Sequence, residues 1–168
     1  MGSGEPALRG LRFGVLTCST TRVPANDTAG DALVAGIVAA GGAVGARALV
    51  PDDRAAISAC LRGWAAGGAC DVILTTGGTG LGPLDVTPEA TADVLTRDVP
   101  GLAELLRLRG LAETPFAALS RGRAGLCGTV LIVNLPGSVS GARSGLEALL
   151  PLLPHAAAVL GGAGHPGA

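Results

Sequence analysis

Two short stretches of this chain combine residue types and spacings that could do chemistry. The first is residues 75–91, TTGGTGLGPLDVTPEAT, where four glycines fall within six positions and the acid Asp85 follows shortly after. It comes directly after the apolar run DVILT. A glycine-rich turn exposes main-chain amides that can converge on one anion, and the missing Cβ lets backbone approach a phosphate closely. A helix start at Thr87 would add further N–H donors and the positive end of a helix dipole. The second stretch is NLPGS, residues 134–138, at the end of another apolar run. Neither contains GK[ST], so neither is a Walker-type phosphate loop. All twelve basic residues are arginine, which excludes a lysine Schiff base.

The acids narrow the chemistry. Asp85 lies inside the glycine-rich stretch, and Asp52 and Asp53 follow Pro51 at the end of a third apolar run. If the runs 43–50 and 71–75 are neighbouring strands, their carboxylates meet above one sheet edge. Carboxylates beside a phosphate cradle repel the ligand unless they hold a divalent cation that bridges to it. The combination points to Mg²⁺-dependent nucleotide chemistry. Ser19 and Ser120 have no local His/Asp pattern, which argues against a hydrolase triad. Cys18, Cys60, Cys70 and Cys127 show neither CxxC nor zinc-ligand spacing and are expected as free thiols.

These residues need a scaffold that brings strand ends together, and the pattern supplies one. Runs 11–18, 43–50, 71–76 and 128–137 read as strands. Helices are expected from a cap at Asp27 or Thr28 to about 40, from a cap at Asp52 to 67, from Thr87, over 100–110, and from Ser138 to about 160 with a break at Pro151 and Pro154. Strands alternating with helices predict an α/β fold: three layers, a mainly parallel sheet, helices on both faces. In such folds ligands bind beyond the carboxyl ends of the strands. At 168 residues the chain suits one domain, expected over 11–160 between a flexible arm (1–10) and a disordered tail (161–168). The core must come from Ala, Val, Leu and Ile, because only Phe13, Trp64 and Phe116 are aromatic. A net charge of −1 carries no nucleic-acid footprint. The uncharged stretch 32–46 is too short and glycine-broken for a membrane span. A cytoplasmic protein is expected, with neither nucleic acid nor membrane as partner.

The stretch TTGGTGLGPLDVTPEAT resembles the GGTG…RDVTPEAT signature of the molybdopterin adenylyltransferases, the Mog/MoaB family that includes the gephyrin G domain. VPGLAELL, TPFAALSR, GTVLIVNLPGS and LEALLPLLPHA resemble that family's segments in order, over about residues 11–160. The resemblance implies a MoaB/Mog-like molybdopterin-binding fold, a homotrimer, and a role in molybdenum cofactor synthesis with ATP as co-substrate and Mg²⁺ as cofactor. It further implies Asp85 and Asp52 as catalytic and metal-holding acids. Gly77, Gly78, Thr79 and Gly80 become one wall of the nucleotide and pterin pocket, and Ser120, Asn134, Pro136 and Gly137 the other. A downstream metal-insertion enzyme is a candidate partner. The chain departs from the family at Leu84, where an arginine is usual, and at Ser19-Thr20-Thr21, where a Ser-Asp pattern is usual. Arg22, Arg121 and Arg123 are the candidates to replace the missing guanidinium. The rival reading is a non-catalytic molybdopterin-binding trimer acting as carrier or scaffold.

Overall fold

The computed structural model describes residues 7–162. Its strands are β1 (Arg12–Cys18), β2 (Ala43–Val50), β3 (Val72–Thr76), β4 (Arg97–Asp98), β5 (Ala124–Cys127) and β6 (Val130–Leu135). They form one sheet in the order β2-β1-β3-β6-β5-β4. β1, β2, β3 and β6 run parallel; beyond β6 the sheet continues through two antiparallel pairings, β6 with β5 and β5 with β4. The helices are α1 (Thr28–Ala39), α2 (Arg54–Ala66), α3 (Thr87–Ala92), α4 (Pro100–Leu111), α5 (Val139–Leu149) and α6 (Leu153–Leu160).

The two-residue period of the strands decides the layering. Phe13 and Val15 of β1, Val72 and Leu74 of β3, and Leu131 and Val133 of β6 face one way, packing with Leu33 and Ile37 of α1 and Leu146 of α5. Leu16, Ile73 and Ile132 face the other way, against Ile57 and Leu61 of α2 and Ala90 of α3. Central strands buried on both faces read as continuous apolar runs, as parallel strands between two helical layers must. Burying each such Leu or Ile contributes about 1.5–3 kcal/mol. Trp64 fits this layer because β1 has glycine at position 14, where a Cβ would come within 2.7 Å of the indole. The three-layer α/β architecture is the one the sequence predicts.

Several local expectations are corrected. The run 128–137 is a strand only from Val130; Gly128 and Thr129 are the two-residue turn that folds β5 back onto β6. Gly128 has φ +61° while no non-glycine residue in the described part has positive φ, so the turn places glycine first, as a type II′ turn requires. Segment 7–10 does not belong to a loose arm: Leu8 is fully buried and its N–H donates to Ala40 O at 2.9 Å. Residues 1–6 and 163–168 of the predicted arm and tail lie outside the described residues. The cap of α2 is Asp53, whose Oδ1 accepts from Ala56 N at 2.7 Å, and not Asp52. Thr87 does not cap α3; it is the first helical residue, Pro88 is the second, and the Thr87 hydroxyl is buried without an oxygen or nitrogen partner. No helix among the described residues is long and apolar enough to cross a membrane.

Replacing Leu8 removes a fully buried side chain from the α1 face of the core. Leu8→Ala is expected to lower the unfolding free energy by about 2–4 kcal/mol, measured by urea melting. A loss under about 0.5 kcal/mol would return the segment to the arm.

Candidate functional site

Because β1, β2, β3 and β6 are parallel, their carboxyl ends (Cys18, Val50, Thr76 and Leu135) open at the same edge of the sheet. From β1 the chain crosses to β2 on one side, and β3 lies on the other. The crevice above β1 and β3 is therefore a topological switch point, the place where open α/β sheets bind ligands. A polar cleft of about 440 Å³ opens there, lined by Ser19, Arg22, Asp52, Gly77, Gly78 and Asp85 among others. Beside it lies a mainly apolar pocket of about 400 Å³ between α4, the short 3-10 turn Pro115–Leu119 and α5. Thr79, Gly80, Ser120, Asn134 and Pro136 line this second space, and Ser138 lines both. The sequence-predicted residues thus converge on one end of the fold but divide between two adjoining cavities.

The ridge between the cavities is made of backbone. Gly77 follows β3 and Gly137 follows β6, and a Cβ on Gly137 would stand 3.1 Å from Gly77 Cα. Gly77 and Gly78 have φ of +95° and +66°, a region that L side chains rarely enter. A Cβ on Gly77 would lie 2.5 Å from Cys18 O, and one on Gly78 2.3 Å from Thr87 Oγ1 and 3.3 Å from Asp52 Oδ1. These glycines therefore do more than permit a turn: they bring two strand-end loops and the Asp52 carboxylate together.

Asp52 is tied to the loop after β1. Its Oδ2 accepts from Thr20 N at 2.7 Å and Thr20 Oγ1 at 3.0 Å. With Asp53 capping α2, the second oxygen of Asp52 faces Gly78 and the cleft. Asp85 curls into its own loop, with Oδ2 accepting from Gly82 N at 2.8 Å. Both are part-buried and line the same cleft. Among the described residues no group of three or more His, Cys, Asp or Glu could cage a metal. Two carboxylates with hydroxyls nearby suit a hard cation that keeps waters and takes phosphate oxygens as its remaining ligands. The cleft floor also carries Cys18, whose thiol is pushed up to about 12, chiefly by burial. It is a neutral wall there, not a nucleophile.

The three candidate arginines have separate fates. Arg22 lines the polar cleft: Ser19 Oγ accepts from its main-chain N–H at 3.1 Å, and its guanidinium donates to Gly137 O (3.2 Å) and Thr28 Oγ1 (3.3 Å). Arg121 is bound to the loop carrying Asp85, and Arg123 reaches Asp98 at 3.5 Å; neither lines either cavity. Leu84 is 60% exposed at the loop tip and also lines neither. Asn134 has its amide committed within the fold: Nδ2 donates to Thr75 Oγ1 (3.0 Å) and Thr91 Oγ1 (2.9 Å), and Oδ1 accepts from Arg123 N (3.0 Å). It shapes the wall between β3, α3 and β6. The sequence reading missed the far side of the apolar pocket, including Leu106 and Arg107 of α4 and Gly141 of α5. Nothing in their spacing distinguishes that wall from an ordinary amphipathic face.

Residues 14–155 match the family described as probable molybdopterin binding domain. The chain is 51% identical to the molybdopterin biosynthesis enzyme MoaB of Thermus thermophilus, whose crystal structure superposes with a TM-score of 0.83 and covers 90% of this chain and 97% of that one. It is 42% identical over 107 residues to the molybdopterin adenylyltransferase of Helicobacter pylori, spanning 64% of this chain and 61% of that protein. It is also 41% identical over 158 residues to the molybdenum cofactor synthesis protein cinnamon of Drosophila melanogaster, covering 92% of this chain and 26% of that protein. The chain spans less than half the length of the first curated relatives it matches.

Gly78→Ala is expected to destabilise the fold by about 1–3 kcal/mol, since it imposes a disfavoured φ and a clash with Thr87. The side chain would also crowd Asp52. Thermal melting is the check, and an unchanged midpoint would mean that the loop can relax around a methyl group.

Proposed function

Because the chain belongs to the molybdopterin-binding family of molybdenum cofactor biosynthesis, in its Mog/MoaB branch, we propose that it is a molybdopterin adenylyltransferase. The observation that carries this reading is the pair of cavities with opposite chemistry sharing one glycine ridge. A carrier needs one site, whereas a transfer between two bound substrates needs two that meet. In this reading the apolar pocket takes the planar pterin and the polar cleft takes the triphosphate of ATP. The terminal phosphate oxygen of molybdopterin attacks the α-phosphorus, the bond from that phosphorus to the bridging oxygen breaks, and pyrophosphate leaves. No protein nucleophile is required, so the chain contributes positioning and charge stabilisation.

Asp52 and Asp85 are the residues that would hold Mg²⁺, with the loop after β1 fixing Asp52 through Thr20. Bound Mg²⁺ would neutralise charge on the phosphate oxygens. In this reading Gly78, without a side chain, lets the triphosphate approach the backbone of the cleft, and Arg22, which lines the same cleft, supplies the guanidinium that Leu84 does not. A charge-assisted hydrogen bond of that kind is worth about 1.5–3 kcal/mol. The competing reading, a molybdopterin carrier, draws on the exposed Leu84 at the loop tip.

The decisive assay incubates the protein with molybdopterin, ATP and Mg²⁺ and measures adenylylated pterin. Wild type is expected to turn over. Asp85→Asn should lose more than about 90% of turnover, a barrier increase above about 1.4 kcal/mol, with pterin affinity changed only a few-fold. Arg22→Gln should lose about one to two decades in the same assay. Wild type that binds molybdopterin without consuming ATP would establish the carrier instead.

We also propose a homotrimer. Exposed Val38, Leu84, Leu108 and Leu111, none of which lines either cavity, leave apolar surface to cover. Light scattering should give about three times the chain mass of 16.3 kDa, and a monomer at micromolar concentration would refute it.

A further inference from the structure

Arg121 lines neither cavity, yet its hydrogen bonds tie it along the whole segment that carries Asp85. Its main-chain N–H donates to Thr79 O at 2.8 Å. Within its guanidinium, Nε donates to Gly80 O at 2.7 Å and Nη2 to Asp85 O at 2.6 Å, while Nη1 pairs with Glu89 Oε1 in the first turn of α3. One planar fork therefore spans the loop from its glycine ridge to its acid and anchors it on a helix.

The loop needs such an anchor. Four glycines over residues 77–82 give it more conformational freedom than almost any other sequence would. Its own hydrogen bonds are few: Asp85 N to Gly82 O at 3.0 Å, Gly82 N to Asp85 Oδ2 at 2.8 Å and Thr87 N to Gly78 O at 3.1 Å. The first two close only a local turn, and the third pins the ends. None spans from Gly80 to Asp85; Arg121 does. The second carboxylate oxygen of Glu89 is buried without a partner, so the acid is held through its pairing with Arg121. The arginine also follows Ser120 and precedes Gly122, the wall of the apolar pocket, whose carbonyls accept from Arg107 Nη1 at 3.3 and 3.1 Å. The acid of the polar cleft is thus braced against the wall of the neighbouring pocket.

We propose that Arg121, seated on Glu89, is a positioning residue that holds the arc from Gly80 to Asp85 in place, and with it the Asp85 carboxylate in the polar cleft. The catalytic consequence rests on the adenylyl-transfer reading; the bracing does not. A lysine cannot replace the fork, because one ammonium cannot reach two carbonyls and a carboxylate in a fixed plane. Glu89→Gln keeps an acceptor for Nη1.

The experiment compares wild type, Arg121→Lys and Glu89→Gln by amide hydrogen exchange, steady-state adenylylation and thermal melting. In Arg121→Lys, exchange across residues 80–86 is expected to quicken by about tenfold or more while the core strands stay protected. Its kcat should fall by about ten- to a hundredfold, with KM for ATP within about threefold and a melting midpoint within a few degrees of wild type. Glu89→Gln should keep most of both properties. Unchanged exchange over 80–86 in Arg121→Lys overturns the proposal, as does an unchanged kcat in an active protein. A parallel collapse of kcat, KM and melting midpoint in both variants overturns it too, since that is the signature of a general structural role. If wild type itself does not turn over, the adenylyl-transfer reading falls, and the exchange profile alone decides whether Arg121 braces the loop.

Discussion

The close passage of Gly77 against Gly137 is the contact on which the functional end of this molecule depends. It follows from the parallel pairing of β3 with β6, which sets Thr76 opposite Leu135 and so releases both chains from the sheet at the same level. Two loops leaving neighbouring strands at one level collide unless one has no side chain to present. Here both are glycine at the point of contact. The hydrogen bond from Gly77 N to Leu135 O (3.3 Å) and the one from Thr76 Oγ1 to Pro136 O (2.7 Å) stitch the two exits together. The result is a thin backbone ridge with a polar space on one side and an apolar one on the other. A thicker ridge, built of side chains, would hold the contents of the two spaces further apart.

Behind that ridge the protein tolerates buried polarity because nearly all of it is paired. Asn134 sits inside β6 and is almost inaccessible, yet its amide joins β3, α3 and the segment before β5 through three hydrogen bonds. Asp27 is equally buried and is satisfied by Gly30 N, Thr17 Oγ1 and Arg47. Buried groups of this kind cost about 1–3 kcal/mol when orphaned and little when paired. They hold α1, α3 and the strand ends in one mutual arrangement, which loose apolar packing would not specify so narrowly. Glu89 follows the same logic: its carboxyl is held below the ordinary range by the hydrogen bond from Arg121, which outweighs the opposing effect of burial.

Much of the fold was legible because its signals are local. Apolar runs long enough to be buried on both faces, alternating with helices that open on Asp, Ser or Pro, specify an α/β sandwich in any context. β5 and β4 were not legible. Ala124–Cys127 holds a glycine and only four residues, and it becomes a strand because the Gly128 turn lays it against β6. Arg97 and Asp98 are strand residues only through pairing with Leu126 and Gly125. Local propensity carries no trace of a partner that supplies most of the hydrogen bonds.

The layer architecture, the glycine-rich exits and the acids beside them can be read from the chain alone, because each is a property of neighbours along it. The assignments among equivalent candidates were settled by packing. Asp53 rather than Asp52 caps α2, since the cap position has the required backbone geometry, and that leaves Asp52 to face the cleft. Of three arginines with the same chemistry, only Arg22 reaches the polar cleft, while Arg121 and Arg123 are drawn to carbonyls and carboxylates contributed by other segments. The division of one predicted pocket into two also belongs to the tertiary level. It depends on α4 and α5 packing together to enclose the apolar space, and a distance between helices far apart along the chain is not encoded in the spacing of either.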